Sequence, residues 1–144
     1  YYTTRDHFGR SFNYRSFWNQ IEYKHKIIMA NAYAIDKGDK KQQKFQYALK
    51  TIGFNIKLKP YISRMDGSTK GDWDVGITID ILDSAEEVDK IILLSGDGDF
   101  DLLVQKVIDK YGCIVEIYGV KSLTSDSLIE SASRFYPISK DFLL

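Results

Sequence analysis

The stretch from Lys90 to Tyr111 constrains the fold most, because it predicts a strand, an acidic turn and a helix in immediate succession. The run Ile91-Ile92-Leu93-Leu94 is typical of a parallel strand that is buried on both faces. Apolar residues then recur at helical spacing from Phe100, and Gly112 marks the end of the helix. This order is typical of a layered α/β protein.

Two carboxylates, Asp97 and Asp99, lie in the turn between this strand and this helix. In open α/β sheets, ligands bind in the crevice at the carboxyl ends of the strands. The structural alternative is that both residues only form the turn, with Asp99 as the N-cap of a helix that begins at Phe100. That role accounts for one carboxylate and leaves Asp97 beside a like charge, and the two repel unless a cation or solvent screens them. The pair is therefore a candidate catalytic and metal-binding site.

The rest of the chain alternates strands with helices. Strands are predicted at Lys26–Ile35, Phe54–Tyr61, Cys113–Val120 and Phe135–Ser139, and helices around Tyr14–Ile21 and at Lys40–Ile52, Asp72–Glu87 and Ser122–Arg134. The alternation predicts a three-layer α/β/α fold with a mainly parallel sheet, as one domain over residues 1–144. Because such a fold normally opens with a strand, we expect an earlier strand upstream of Tyr1.

Three local features complete the predicted fold. Ser63–Gly71 is expected to be a polar loop with a turn at Asp66-Gly67. Ser127 and Glu130 have capping-box spacing. The apolar residues of the Asp72–Glu87 helix spread around its axis, so most of its circumference should be covered.

Charge is segregated along the chain, although 20 basic and 20 acidic residues cancel overall. Asp36–Lys70 carries nine basic and three acidic residues, whereas Gly71–Asp101 carries ten acidic residues and Lys90 alone as a base. A metal-dependent nuclease needs both, because cations hold the phosphate backbone while carboxylates hold Mg²⁺ or Mn²⁺. The alternative is two solvated helix faces.

Asp74 is the strongest acidic candidate outside the turn. Its neighbours at +3, +4 and +7 are Ile77, Thr78 and Ile81, which places Asp74 on a packed helix face where a carboxylate needs a partner such as a metal. Its place in the first helical turn also permits a purely dipolar role. Asp80 has polar neighbours and is expected to face solvent.

The single cysteine, Cys113, lies in an apolar strand pattern and is expected to be a buried small hydrophobe. Because the chain has one cysteine, it cannot form an internal disulfide, and this suits a reducing, cytoplasmic setting. No apolar run approaches the length of roughly 18 residues that a membrane span needs, so no membrane partner is expected.

Two motifs resemble those of the NYN family, the LabA-like branch of the PIN-like nuclease superfamily. They are Lys70-Gly71-Asp72-Trp73-Asp74 and Ser95-Gly96-Asp97-Gly98-Asp99-Phe100. The resemblance implies a PIN-like sheet with an acidic Mg²⁺ or Mn²⁺ site that cleaves RNA through a metal-activated water. It also implies an upstream aspartate as a further ligand, outside this chain, and an acid six residues after the first, which matches Asp80.

Two positions depart from the family pattern. An extra residue in the first motif leaves Asp72 or Asp74 as the ligand, and the packed-face argument favours Asp74. Ser133 stands where the family often has an acid before the terminal aromatic Phe135, so one peripheral carboxylate is missing.

The sequence therefore predicts a metal-dependent endoribonuclease acting on single-stranded RNA. Asp74, Asp97 and Asp99 are the catalytic and metal-binding candidates, with Asp80 as a further possible ligand, and Lys40, Lys41, Lys44, Lys70 and Ser95 are the candidate RNA contacts. The alternative is an RNA-binding or protein-binding regulatory module with a weakened site on the same fold. Phosphotransfer is a third hypothesis, which no accompanying Thr/Lys pattern supports. Homo-oligomerisation is left open.

Overall fold

A computed structural model of the protein describes residues 2–60, 62–63, 69–70 and 72–144, and the side chains of residues 4–60 and 72–144. Its helices and strands are α1 (Tyr2–Phe8), α2 (Tyr14–Lys24), β1 (Asn31–Asp36), α3 (Lys40–Ile52), β2 (Asn55–Pro60), β3 (Ile62–Ser63), β4 (Thr69–Lys70), α4 (Asp74–Ser84), β5 (Lys90–Leu94), α5 (Asp101–Tyr111), β6 (Ile114–Gly119), α6 (Asp126–Ser131) and β7 (Arg134–Pro137). Strands β1 and β2 pair in parallel, as do β5, β6 and β7 in that order. The predicted α/β class with mainly parallel pairing is confirmed.

The chain forms two compact units, Tyr14–Trp73 and Tyr1–Asn13 with Asp74–Leu144. The second unit contains the parallel sheet β5-β6-β7. On one face of this sheet, Val115 and Ile117 of β6 pack with residues of α5 and with Leu128 of α6, which is fully buried. Buried apolar area of this kind is the main stabilising contribution to such a domain. That a single domain spans residues 1–144 stays a prediction.

Polar and aromatic side chains from β6 project from the other face of the sheet. Tyr118 stacks on Tyr136 of β7 with ring centroids 4.8 Å apart. Glu116 is only 5% exposed, and it is paired with Lys90 of β5 at 3.4 Å and accepts a hydrogen bond from the Tyr136 hydroxyl at 3.3 Å. A buried carboxylate is costly unless it is paired, so these two partners make the position tolerable.

Cys113 is buried, as predicted, and its thiol donates to the carbonyl oxygen of Ala85 at 3.3 Å. Burial, with a smaller effect from Asp89, raises the pKa of this thiol. The side chain therefore behaves as a buried, protonated group, because a raised pKa disfavours the reactive thiolate.

The unit Tyr14–Trp73 packs helices α2 and α3 around aromatic rings. Trp18 meets Phe54 edge-on at 5.0 Å, and Tyr14 contacts both Phe45 and Phe54. Helix α3 has the predicted bounds. Asp39 caps its start by accepting from the N–H of Lys41, and Gly53 ends it at φ 140°, where any side chain would also collide with the Trp18 ring at 2.7 Å.

Trp73 is held at the end of the same unit by three contacts. Its indole N–H donates to the carbonyl oxygen of Ala34 at 2.9 Å, and the Lys59 ammonium lies 4.4 Å from its ring centroid. The ring of Tyr33 lies 5.3 Å away. Lys59 is therefore occupied by a cation–π contact and by a hydrogen bond to the Asp72 carbonyl oxygen at 3.3 Å.

Several local predictions are corrected. Helix α1 forms in a segment for which no element is predicted, and the strand predicted from Lys26 begins only at Asn31. The predicted polar loop begins and ends in the short antiparallel pair of β3 and β4. Residues 64–68 and 71 of that loop, including its Asp66-Gly67 turn, lie outside the described residues.

Two predictions about helices are also wrong. Val75 and Ile79 of α4 are 70% and 52% exposed, so one face of this helix is not covered. Helix α6 is capped at Ser125, with no side-chain capping bond, and Ser127 contacts the Ser125 hydroxyl instead of forming a capping box. Among the described residues, no helix is both long and apolar enough to cross a membrane.

Candidate metal centre

The turn after β5 is ordered by its own side chains. The Ser95 hydroxyl oxygen accepts a hydrogen bond from the N–H of Asp97 at 3.1 Å, and Asp97 Oδ1 accepts from the N–H of Asp99 at 2.9 Å. Asp97 thereby caps a 3₁₀ turn, Gly98–Phe100, which leads into α5. The structural alternative in which Asp99 is the N-cap is wrong, because the helical turn begins earlier than the apolar pattern indicates and α5 itself has no side-chain cap.

Three carboxylates meet at this turn. One oxygen from each of Asp74, Asp97 and Asp99 lies within 4.8 Å of the others. Asp74 is half-buried at the first position of α4, whereas Asp97 and Asp99 are exposed. The two exposed residues lie on the turn that follows β5, so α4 and the end of the strand bring the group together.

The donor set and its spacing fit a small divalent cation. Mg²⁺ prefers oxygen ligands at about 2.1 Å, so two ligands on opposite sides of the ion are about 4.2 Å apart. Adjacent ligands of the same octahedral ion are about 3.0 Å apart, so an ion held by all three oxygens would draw at least two of their three pairs to about that distance. Three like charges this close repel one another, and a bound cation would offset that repulsion. The donor set of the group is therefore suited to a divalent cation.

Glycines allow the acidic turn to pack tightly against the segment after β6. A Cβ atom on Gly96 would lie 2.6 Å from the Leu123 carbonyl oxygen, and one on Gly98 would lie 2.6 Å from the Ser125 hydroxyl oxygen. The N–H of Ser125 also donates to the Gly96 carbonyl oxygen at 3.1 Å. These supporting contacts with Leu123 and Ser125 were missed in the sequence, where only the paired glycines signal a close approach of backbone.

The other acidic residues near this motif do not belong to the group. Among the described residues, the three-carboxylate group contains Asp74 and not Asp72, as the packed-face argument favours. Asp80 lies half-buried six residues further along α4 and is not a member. A spacing of six residues turns about 240° around a helix, so Asp80 projects from a different face than Asp74.

The candidate RNA contacts are spread over both units. Ser95 is half-buried in the acidic turn, where its hydroxyl supports Asp97. Lys40, Lys41 and Lys44 are exposed on α3. The backbone of Lys70 forms β4, but its side chain lies outside the described residues.

Ser133, at the position where a family acid is missing, has a structural role. Its hydroxyl oxygen accepts from the N–H of Val115 at 2.9 Å, and its own N–H donates to the Val115 carbonyl oxygen at 2.9 Å. The pair of bonds joins the start of β7 to β6. A serine here thus completes the backbone pairing of the sheet.

Parallel strands joined by helices, with a carboxylate group where β5 ends, define a PIN-like α/β domain. The chain belongs to the NYN domain family, which it matches over residues 1–139. This membership confirms the family resemblance and brings with it a nuclease-like fold.

Two relatives support the same grouping. The chain is 30% identical over 105 residues to the low amplitude and bright protein LabA of Synechococcus elongatus, an alignment that spans 67% of this chain and 56% of LabA. It is also similar to a crystal structure of a protein of unknown function from Vibrio parahaemolyticus, with 48% identity and a TM-score of 0.91. That match covers 100% of this chain and 89% of the other.

Proposed function

We propose that this chain is a metal-dependent endoribonuclease acting on single-stranded RNA, with Mg²⁺ or Mn²⁺ as its cofactor. The observation that carries the proposal is the meeting of Asp74, Asp97 and Asp99 within 4.8 Å. Membership of the NYN family supports it, because that fold is nuclease-like. Cytoplasmic location and any homo-oligomer are further predictions.

Each residue of the group has a distinct part in the proposed reaction. Asp74 is fixed by the first turn of α4 and supplies a half-buried carboxylate. Asp97 is oriented by its bond to the N–H of Asp99, which leaves Oδ2 available as a ligand. Asp99 supplies the third carboxylate. A divalent ion held by these residues would lower the pKa of a bound water and neutralise charge on the phosphate.

Exposed lysines are the proposed contacts for the RNA backbone. Lys40, Lys41 and Lys44 form a cationic surface on α3. Lys40 and Lys44 are one helical turn apart, so both can face the same strand, and each phosphate they neutralise releases a counterion. Lys70 is proposed as a further contact and Ser95 as the residue that orients Asp97.

The deciding experiment is cleavage of a fluorescently labelled single-stranded RNA by the full chain in Mn²⁺ or Mg²⁺. We expect cleavage that EDTA abolishes, and a loss of roughly 100-fold or more in Asp74→Asn and Asp97→Asn. Asp109→Asn is the matched control, because Asp109 is an exposed acid on α5 outside the group.

Two outcomes would overturn the proposal. One is an RNA left intact in both metals, and the other is equal cleavage by Asp97→Asn and the unmutated chain. Salt-dependent RNA binding that EDTA does not change, without cleavage, would instead establish the regulatory RNA-binding module.

A further inference from the structure

A broad, open hollow of about 520 Å³ lies at the carboxyl ends of β6 and β7. It is lined by His7, Phe8, Val120, Lys121, Ser122 and Ile138. The last four follow directly after the two strands, while His7 and Phe8 end α1. The hollow is therefore on the edge of the sheet where α/β proteins bind ligands, but outside the carboxylate group.

The chemistry of the lining suits one nucleotide. Phe8 is 36% exposed, and the ring of His7 meets it edge-on with centroids 4.6 Å apart. Ile138 adds half-buried apolar surface over the buried Val120, so a planar base has the Phe8 ring and the Ile138 side chain to contact. Lys121 is an exposed cation, and none of the six lining residues carries a carboxylate. The lining therefore complements a base together with a phosphate.

The hollow is connected to the acidic turn through a single short segment. Lys121 and Ser122 line the hollow, and the next residue, Leu123, places its carbonyl oxygen against Gly96. Ser125 then donates its N–H to the Gly96 carbonyl oxygen at 3.1 Å. Lys121 and Ser122 therefore face the hollow, while Leu123 and Ser125 pack against the turn that carries Asp97.

We infer that the hollow is an RNA-binding subsite that holds one nucleotide of the strand whose neighbouring phosphate reaches the three carboxylates. The base packs on Phe8 and Ile138, and Lys121 binds a phosphate. The inference rests on the proposed ribonuclease function, since it places a nucleotide beside that site. It adds a contact that neither the basic surface of α3 nor the acidic motif supplies.

The test is the affinity of a fluorescein-labelled single-stranded RNA decamer, measured by anisotropy in Mg²⁺ over a range of salt concentrations. The parent is Asp97→Asn, so that the strand is not cut. Phe8→Ala should weaken binding by roughly tenfold without changing the salt dependence, because it removes only stacking, and Phe8→Trp should restore it. Lys121→Gln should weaken binding and reduce the slope of log affinity against log salt by about 0.7.

Lys106→Gln is the matched control, because Lys106 is an exposed lysine on α5 away from the hollow. Its affinity and salt slope should equal those of the parent. Circular dichroism and thermal unfolding establish that each variant is folded. The subsite is overturned if the parent does not bind, if Phe8→Ala and Lys121→Gln bind as the parent does, or if Lys106→Gln matches Lys121→Gln.

Cleavage by chains that retain Asp97 separates this inference from the proposed function. Metal-dependent cleavage that Phe8→Ala and Lys121→Gln leave unchanged would overturn the subsite and leave the nuclease proposal standing. Ring-dependent and charge-dependent RNA binding without any cleavage would support the subsite and overturn the nuclease proposal.

Discussion

Asp97 Oδ1 accepts a hydrogen bond from the backbone N–H of Asp99 at 2.9 Å, so one carboxylate of the acidic group also caps the helical turn that carries another. This bond fixes the backbone spacing between the two residues. It uses one oxygen of Asp97 and leaves the other for a ligand. The capping role of Asp97 can therefore be separated by substitution from its proposed role as a metal ligand.

Substitutions at Asp97 should separate these two roles. Asp97→Asn keeps a capping oxygen but removes the charge, whereas Asp97→Ala removes both. In EDTA we expect the free energy of unfolding of Asp97→Ala to be about 1 kcal/mol below that of Asp97→Asn, measured by urea denaturation. Both should lose metal-dependent cleavage. Equal stability of the two variants would show that the capping bond contributes nothing.

Metal should stabilise the folded chain through the same three carboxylates. At a metal concentration about 100 times the Kd, the free energy of unfolding should rise by about 2.7 kcal/mol, and EDTA should reverse the gain. Asp74→Asn should lose most of it. EDTA should abolish the difference in metal response between this variant and the unmutated chain.

Asp80→Asn and Asp83→Asn serve as controls for the metal experiment. Both residues lie on α4 outside the carboxylate group. Each variant should keep the full increase in stability with metal. Thermal unfolding at several metal concentrations measures this increase. Loss of the increase in Asp80→Asn would place Asp80 among the ligands and contradict its helical position.

Sequence alone predicts best where local signals agree. Helix α3 has the predicted bounds because Asp39 and Gly53 mark its two ends and its apolar stripe lies between them. The strand-turn-helix order around Asp97 also follows from local spacing. Each depends on residues within a few positions of one another.

The parts that could not be predicted depend on contacts distant in sequence. The close packing of Gly96 and Gly98 against Leu123 and Ser125, which lie more than twenty residues away, has no local signal beyond the glycines themselves. Ser133 has the pattern of a lost carboxylate, yet its hydroxyl completes the pairing of β7 with Val115 of β6. Helical spacing likewise gives no sign that Val75 and Ile79 stay exposed.

Ionisation of the Tyr118 hydroxyl should lower the free energy of unfolding at alkaline pH. Burial, with smaller effects from Glu116 and Tyr136, raises the pKa of its hydroxyl from 10.0 to about 12. The folded chain therefore keeps a proton that the unfolded chain releases above pH 10. The contribution of this proton to the free energy of unfolding is on the order of 2 kcal/mol. It is fully present below pH 10 and is lost as the pH rises through about 12.

Urea denaturation between pH 9 and pH 12 measures this alkaline loss. Tyr118→Phe should reduce it, because phenylalanine has no proton to release. Tyr23→Phe is the matched control, since Tyr23 is 88% exposed, and it should leave the loss unchanged. If Tyr118→Phe loses as much stability between pH 9 and pH 12 as the unmutated chain, groups other than Tyr118 cause the loss.

Substitution of Gly96 and of Gly112 should separate the effect of the shape of the acidic turn on metal affinity from the effect of overall stability. A Cβ at Gly96 meets the Leu123 carbonyl oxygen at 2.6 Å, so Gly96→Ala must displace backbone and should cost about 1–3 kcal/mol of stability. Gly112 has φ +68° with nothing within 4 Å of its Cβ position, so Gly112→Ala should cost about 1 kcal/mol through backbone strain alone.

The two variants should differ in metal binding. Gly96→Ala should weaken Mn²⁺ affinity severalfold, measured by calorimetry, because Asp97 is the next residue and shifts with the turn. Gly112→Ala should keep the affinity of the unmutated chain, since it lies at the far end of α5. An equal loss of affinity in both would attribute the effect to general destabilisation, and an unchanged affinity in Gly96→Ala would show that the close approach to Leu123 does not position the carboxylates.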